Sequence, residues 1–181
     1  MHWKTVESEY IYRSPFGSLR KDKCQLPDGQ VIDGYYVHEY SDWVNAVVIT
    51  KDKQLVLVEQ YRHAGNGLFL EIPAGKIEAN ETYEEGILRE IREETGYTSE
   101  TMPVLLGEWM VNPATQTNKI RSYLLVDAYQ ATEQELDDTE DIIVQLMNFE
   151  NFGKLVKEGE ITTQLFSISA YYLAKAFLAE K

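Results

Sequence analysis

Three glutamates, Glu90, Glu93 and Glu94, fall at spacings i, i+3 and i+4 inside "GKIEANETYEEGILREIREETGY", residues 75–97. On a helix those spacings set side chains next to one another, and like charges there repel by roughly 0.2–0.5 kcal/mol per pair. A divalent cation would remove the repulsion. Mg²⁺ and Mn²⁺ are hard ions that prefer oxygen ligands, and carboxylates one turn apart can share an ion or bridge two. Spacing alone leaves a second reading open. Glutamate is a good helix former, and the same residues would serve as a solvated helix face.

The surrounding elements have to position this group. The first 50 residues read as strands, with Asp-Gly in "LPDGQ" marking a hairpin between a stretch ending near Cys24 and "VIDGYYVHEY". "WVNAVVIT" (43–50) and "QLVLVEQYR" (54–62) are β-rich runs around the turn "KDK", and "LFLEI" (68–72) is a short strand stopped by Pro73. A helix is predicted from Asn80 as N-cap, with Glu81, Glu84 and Glu85 in its first turns, Ile87, Leu88 and Ile91 as an apolar stripe, and Gly96 as its left-handed stop. Strands follow in "VLLGEWMV", "IRSYLLVDAY" and "DIIVQLMNF", then helices from about residue 150 to 157 and from about 162 to 179. This order predicts an α+β domain with helices on the faces of a mixed sheet.

A chain of 181 residues suits one domain, with or without a small appendage, and 44% hydrophobic residues can bury a core. The net charge of −13 argues against nucleic acid or an anionic membrane as the main partner, since both need a cationic footprint. Cys24 is the only cysteine, so no intrachain disulfide can form, and it reads as a small buried hydrophobe. The first residues, "MHWKTVESEY", lack the apolar stretch of a signal peptide, and no run approaches the ~20 residues that span a bilayer. The expectation is a cytoplasmic protein. His2, His38 and His63 form no zinc-type grouping and receive no role.

The stretch 75–97 also resembles the signature of the Nudix hydrolases, Gly-x5-Glu-x7-Arg-Glu-U-x-Glu-Glu-x-Gly-U, where U is a bulky apolar residue. Gly75, Glu81, Arg89, Glu90, Glu93, Glu94 and Gly96 fill every fixed position, with Ile91 and Tyr97 at the apolar ones. Seven fixed residues coincide by chance on the order of once in 10⁸ windows. The resemblance implies an α/β/α sandwich and hydrolysis of a nucleoside diphosphate linked to another moiety. It implies metal ligation by Glu90 and Glu94, with Glu93 beside them and the backbone carbonyl of Ala74 as a further ligand. Mg²⁺ is the expected cofactor, with Mn²⁺ as the alternative. Arg89 matches the arginine that orients a catalytic glutamate, Glu93 is itself a catalytic candidate, and Glu81 matches an outer, structural position. The branch commonly takes its base from a loop before a late strand. "ELDDTEDIIV" (135–144) occupies that place, with Glu140 as first choice and Asp138 as second.

"EQYRHAGNGLFLEIPAGKIE" (59–78) is similar to the region before the box in ADP-ribose and nucleotide-sugar pyrophosphatases. The likeness makes Arg62 a phosphate-binding candidate and puts Glu71 near the metals. Pro113 stands where ADP-ribose enzymes carry proline, but "NPATQTNK" (112–119) departs from their Ser-Pro-Gly, so the resemblance leaves ADP-ribose and other nucleotide sugars both open. Gln116, Asn118 and Lys119 are candidates for sugar hydroxyls or phosphate. The extra N-terminal strands also resemble this branch, where they form a small antiparallel sheet that builds a homodimer and aromatic residues hold the base. This implies a division into 1–42 and 43–181, with Trp43 and Tyr40 as stacking candidates and Trp3 a weaker one. The rival reading is a non-catalytic nucleotide sensor, which usually lacks box glutamates that this chain retains.

Overall fold

The computed structural model describes residues 2–180. Met1–Asp42 with Trp109–Ile120 form one compact unit, and Trp43–Glu108 with Arg121–Lys181 form the other.

The first unit is built on a three-stranded antiparallel sheet, β1 (Lys4–Ser14), β2 (Gly17–Gln25) and β3 (Val31–Glu39), in the order β1-β2-β3. The Asp-Gly hairpin is where the sequence put it: Leu26 and Gln30 close it through Leu26 N–H to Gln30 O at 2.8 Å, and Gly29 has φ +90°. Another hairpin, at Ser14–Gly17, splits the stretch before the Asp-Gly turn into two strands. Cys24 is buried, as expected of a small hydrophobe. Inside the sheet Asp22 is buried and takes hydrogen bonds from Ser8 Oγ and Arg20 Nε, which hold its carboxyl below the usual range against the opposing effect of burial. The segment 112–118 lies along β3, with His38 N–H donating to Thr115 O and Thr117 N–H donating to His38 O.

The second unit carries β4 (Trp43–Thr50), β5 (Gln54–Arg62), β6 (Gly67–Glu71), β7 (Ala74–Lys76), α1 (Tyr83–Thr95), β8 (Tyr97–Thr98), most of β9 (Val104–Met110) and β10 (Lys119–Gln130), β11 (Ile142–Asn148), α2 (Phe149–Glu158) and α3 (Leu165–Ala179). Its mixed sheet runs β11-β5-β4-β10-β8, with β6 on β5, β7 on β4 and β9 on β10. Alternate residues of β4 explain the layering. Val44, Ala46 and Val48 pack with Ile87 and Ile91 of α1, while Val47 and Ile49 pack with Phe149, Phe152, Ala170 and Tyr171 of α2 and α3. A strand covered on both faces reads as a continuous apolar run, as "WVNAVVIT" does. The expected α+β fold, with its small extra sheet, is the fold observed.

Two expectations for α1 need correction. Its N-cap is Thr82 rather than Asn80, because Thr82 and Glu85 form a reciprocal capping box that satisfies two backbone donors. Asn80 instead sits in a turn at φ +72°. Glu81 therefore precedes the helix. Leu88 is only half-buried, and the buried stripe continues from Ile87 and Ile91 to Glu94. The helix does end at Gly96, with φ +72°. A Cβ at this position would also overlap the carbonyl oxygen of Thr132. Gly96→Ala is therefore expected to lower stability by about 1–3 kcal/mol through backbone strain and this overlap together, measured as a shift in the urea midpoint.

Candidate active site

Arg89 projects from α1 into a ring of carboxylates. Its Nε and Nη2 form a fork on Glu81 at 3.1 and 2.8 Å, and its Nη1 donates to Glu90 at 2.9 Å and Glu93 at 3.0 Å. Nη2 also reaches Lys76 O at 3.1 Å. Five donors in a rigid plane suit arginine to this shared pairing. Glu81 holds the guanidinium proton well above its ordinary range, and Glu90 and Glu93 add to the effect. In return the Glu81 carboxyl is lowered, first by that hydrogen bond. The repulsion raised by the glutamate spacing is thus partly met from within the chain.

Glu94 is treated differently. It occupies the i+7 position of the stripe begun at Ile87, where an apolar residue would be expected, and it is 4% exposed. Its Oε2 accepts the N–H of Ala74 at 2.9 Å. Desolvation pushes its carboxyl up to about 8; the Ala74 hydrogen bond and Arg62 oppose this, and the charges of Glu90 and Glu140 reinforce it. Glu90 is also raised, chiefly by burial and against the pull of Arg89. The β7 backbone passes so close to Glu90 that a Cβ on Gly75 would overlap its carboxylate. Only glycine admits this approach. Pairing of Val44 with Gly75 and Asn45 with Ala74 fixes β7 there.

Arg62, at the end of β5, forks onto Glu71 of the neighbouring β6, with Nη2 to Oε2 at 2.6 Å and Nε to Oε1 at 3.2 Å. Glu71 is 1% exposed, and the pair supplies its compensating charge. Both Glu94 and Glu140 also act electrostatically on Arg62. Glu140 and Asp138 lie exposed in the loop before β11. The Glu140 carboxylate accepts the N–H of Asp137 at 3.1 Å, and its own N–H donates to Asp137 O.

The other sequence candidates are distributed between the units. Trp43, on β4, packs its ring edge-on to Phe166 of α3 with centroids 5.6 Å apart. Tyr40 stacks parallel to His38 in the N-terminal unit, at 5.9 Å and 4°. In the same unit Trp3 meets Tyr35 edge-on, Pro113 is exposed, and Gln116 is partly buried with an unpartnered Oε1. Asn118 is 1% exposed with neither amide atom hydrogen-bonded. Lys119 N–H donates to Asp42 at 2.7 Å.

Among the described residues no three His, Cys, Asp or Glu side chains converge as a metal-ligand set; Glu90 and Glu93 pair with Arg89, and Glu94 accepts Ala74 N–H. The donor chemistry nonetheless fits a hard dication. The available atoms are carboxylate and carbonyl oxygens. A cation beside Glu90 and Glu94 would offset the burial that raises both carboxyls. The box resemblance names Glu94 as a ligand, but two features lie outside what the sequence shows: the burial of Glu94 and the part played by Gln134. Glu94 looks like any surface glutamate of a helix until the packing of α1 is known. Gln134, whose side chain donates to Glu94 O at 2.7 Å, is a loop residue without a motif.

The NUDIX domain family matches residues 40–166, and the family described as Nucleoside diphosphate sugar hydrolase N-terminal domain matches residues 3–38. The chain is 31% identical to the "Methanol dehydrogenase activator" of Bacillus methanolicus, over 94% of this chain and 91% of that one. It is 28% identical to an ADP-ribose pyrophosphatase of Bacillus subtilis (strain 168), over 98% and 97% of the two chains. A solved structure titled as that of an ADP compounds hydrolase shares the fold, with a TM-score of 0.84 over 99% of this chain and 96% of that one, at 18% identity. Nudix hydrolases generally use divalent metal ions. Because the domain match covers more than half of the chain and encloses the whole box from Gly75 to Tyr97, the protein belongs to the Nudix hydrolase family and is an enzyme.

Proposed function

We propose that the enzyme cleaves the pyrophosphate bond of ADP-ribose or another nucleoside diphosphate sugar in a Mg²⁺-dependent reaction, releasing a nucleoside monophosphate and a sugar phosphate. The observation that carries this reading is Glu94, an acid set into an apolar stripe beside Glu90. Burying that charge costs stability unless a cation offsets it. The names of the Bacillus subtilis relative and of the N-terminal family support the substrate class.

Glu90 and Glu94, with Glu93 and the carbonyl of Ala74, would hold the metal. When bound, the cation supplies charge neutralisation at the pyrophosphate oxygens and lowers the pKa of a water. The remaining work falls to this chain. Arg89 fixes the rotamers of Glu90 and Glu93, so the acidic face is ordered before substrate arrives. Arg62 offers the partly exposed side of its guanidinium to a phosphate while Glu71 anchors the other. Glu140 takes the proton from the attacking water, with Asp138 as the alternative base. Trp43 is the second unit's candidate for the base; Tyr40 is a separate stacking candidate, and Pro113 and Gln116 are candidates for a sugar, in the N-terminal unit.

We further propose that 1–42 is the dimerising segment of the chain and 43–181 the hydrolase domain. Val6, Ile11, Tyr12 and Phe16 of the first hairpin are more than half exposed, and a symmetric homodimer would cover them. Among the described residues no helix is long and apolar enough to cross a membrane, and with a single cysteine the chain suits a cytoplasmic setting. A regulatory role is the second reading, favoured by the name of the Bacillus methanolicus relative. The complete set of box glutamates favours turnover over a silent sensor.

Incubation with ADP-ribose, GDP-mannose and UDP-glucose in the presence of Mg²⁺, followed by phosphatase and phosphate detection, is expected to give release from at least one; none from any would support the sensor. Glu94→Gln keeps the acceptor for Ala74 N–H and removes the ionisable group, whose raised carboxyl destabilises the metal-free fold at pH values above its ordinary 4.5. It is expected to lose at least ~10²-fold in kcat while gaining about 1–3 kcal/mol of stability in metal-free buffer. It should also lose the rise in Tm that Mg²⁺ gives the wild type. Retained turnover would remove Glu94 from the ligand set. Phe16→Asp with Tyr12→Asp is expected to halve the mass seen by analytical ultracentrifugation; an unchanged mass would place the dimer contact elsewhere.

A further inference from the structure

The chain 131–141 links β10 to β11, and its first half is fastened to the C-terminal end of α1. Ala131 and Thr132 N–H both donate to Gly96 O, at 2.9 and 3.2 Å, and Glu135 N–H donates to Glu93 O at 2.9 Å. The last carbonyls of a helix have no partner within it, so this loop completes them. Gln134 adds a bond of a different kind. Its half-buried side-chain amide donates from Nε2 to Glu94 O at 2.7 Å and to Ile142 O at 3.1 Å. One amide group therefore joins the end of the glutamate helix to the first residue of β11, closing the base of the loop.

Past that closure the chain changes character. Leu136 is half-buried, and Asp137 and Glu140 then hydrogen-bond each other in a turn of exposed residues. Glu140 stands two residues before the clasped Ile142, and its charge is felt at Arg62, Glu90 and Glu94. A residue that sets the exit of the loop also sets where this turn is presented.

We propose that Gln134 is a positioning residue for hydrolysis, its side-chain amide tying both ends of the Glu140 turn to α1 and fixing the distance from that turn to the Glu90–Glu94 face. The inference rests on the catalytic reading of that face given above and adds a residue that neither the box nor the loop motif contains. It is distinct from a structural role, because a clasp that only held the fold together would change stability and leave the rate per folded molecule alone.

Gln134→Met retains length and removes both donors, and Gln134→Lys restores a donor at the same place. The wild type and both variants are compared in Mg²⁺ with ADP-ribose, or with whichever substrate of the panel the wild type turns over. Wild-type turnover tests the catalytic reading, and the comparison among variants tests the clasp. For Gln134→Met, kcat is expected to fall about 10–100-fold with KM unchanged, and hydrogen exchange at Glu135 and across 137–140 to accelerate while the α1 amides keep wild-type protection. Gln134→Lys is expected to recover most of the lost kcat. A wild-type kcat in the Met variant overturns the proposal, as does a loss that appears only in Tm. Should the Met variant be too unstable to assay, a Lys variant with slow exchange at Glu135 but reduced kcat overturns it, and one with both restored supports it.

Discussion

One guanidinium governs the geometry of the acidic face. Arg89 gives every polar edge of its fork to Glu81, Glu90, Glu93 or the Lys76 carbonyl. Without it, like charges one turn apart would splay into solvent, as side chains on most glutamate-rich helices do. With it, two glutamates are held against the helix and a third, Glu81, is drawn in from the segment before the helix. The capping box at Thr82 and Glu85 contributes to the same end, because starting the helix there leaves Glu81 in the preceding loop, free to turn back toward Arg89.

Glu94 shows what this arrangement costs. Its neighbours in the stripe are isoleucines, and its carboxylate accepts from one backbone amide. A hydrophobic residue there would bury apolar area and stabilise the domain at about 25 cal/mol per Å². An acid at such a position is a local conflict with folding, and under the proposed reading a bound cation would resolve it. Arg62 and Glu71 show the opposite solution nearby: a buried acid matched by a fork, with both partners from adjacent strands of one hairpin.

The sequence was most informative where chemistry depends on spacing within one element. The box residues, the strands 43–50 and 54–62, and the Gly96 stop all follow from local pattern. It was less informative where a choice turns on competing caps. Asn80 and Thr82 are both good N-caps, and the reciprocal bond to Glu85 decides between them. Partners distant along the chain were least legible. Nothing in "WVNAVVIT" says that Trp43 will meet Phe166, and nothing in "ATEQELDD" says that a glutamine amide will find the carbonyl of Glu94. The hairpin at residues 14–17 carries a signal of another kind, Ser14-Pro15-Phe16-Gly17, whose proline and glycine suit a type I turn rather than the Asn-Gly or Asp-Gly pair of the tightest hairpins.

The glycines at the two ends of the box are glycines for unrelated reasons. At Gly75 the obstacle is the Glu90 carboxylate, the side chain proposed to hold the metal; at Gly96 it is the Thr132 carbonyl together with a left-handed backbone, both features of the scaffold. A descendant of this chain that abandoned catalysis and shortened Glu90 would release the first constraint and keep the second. The two positions would then drift at different rates, and a side chain found at the first beside a glycine kept at the second would mark a fold that had outlived its chemistry.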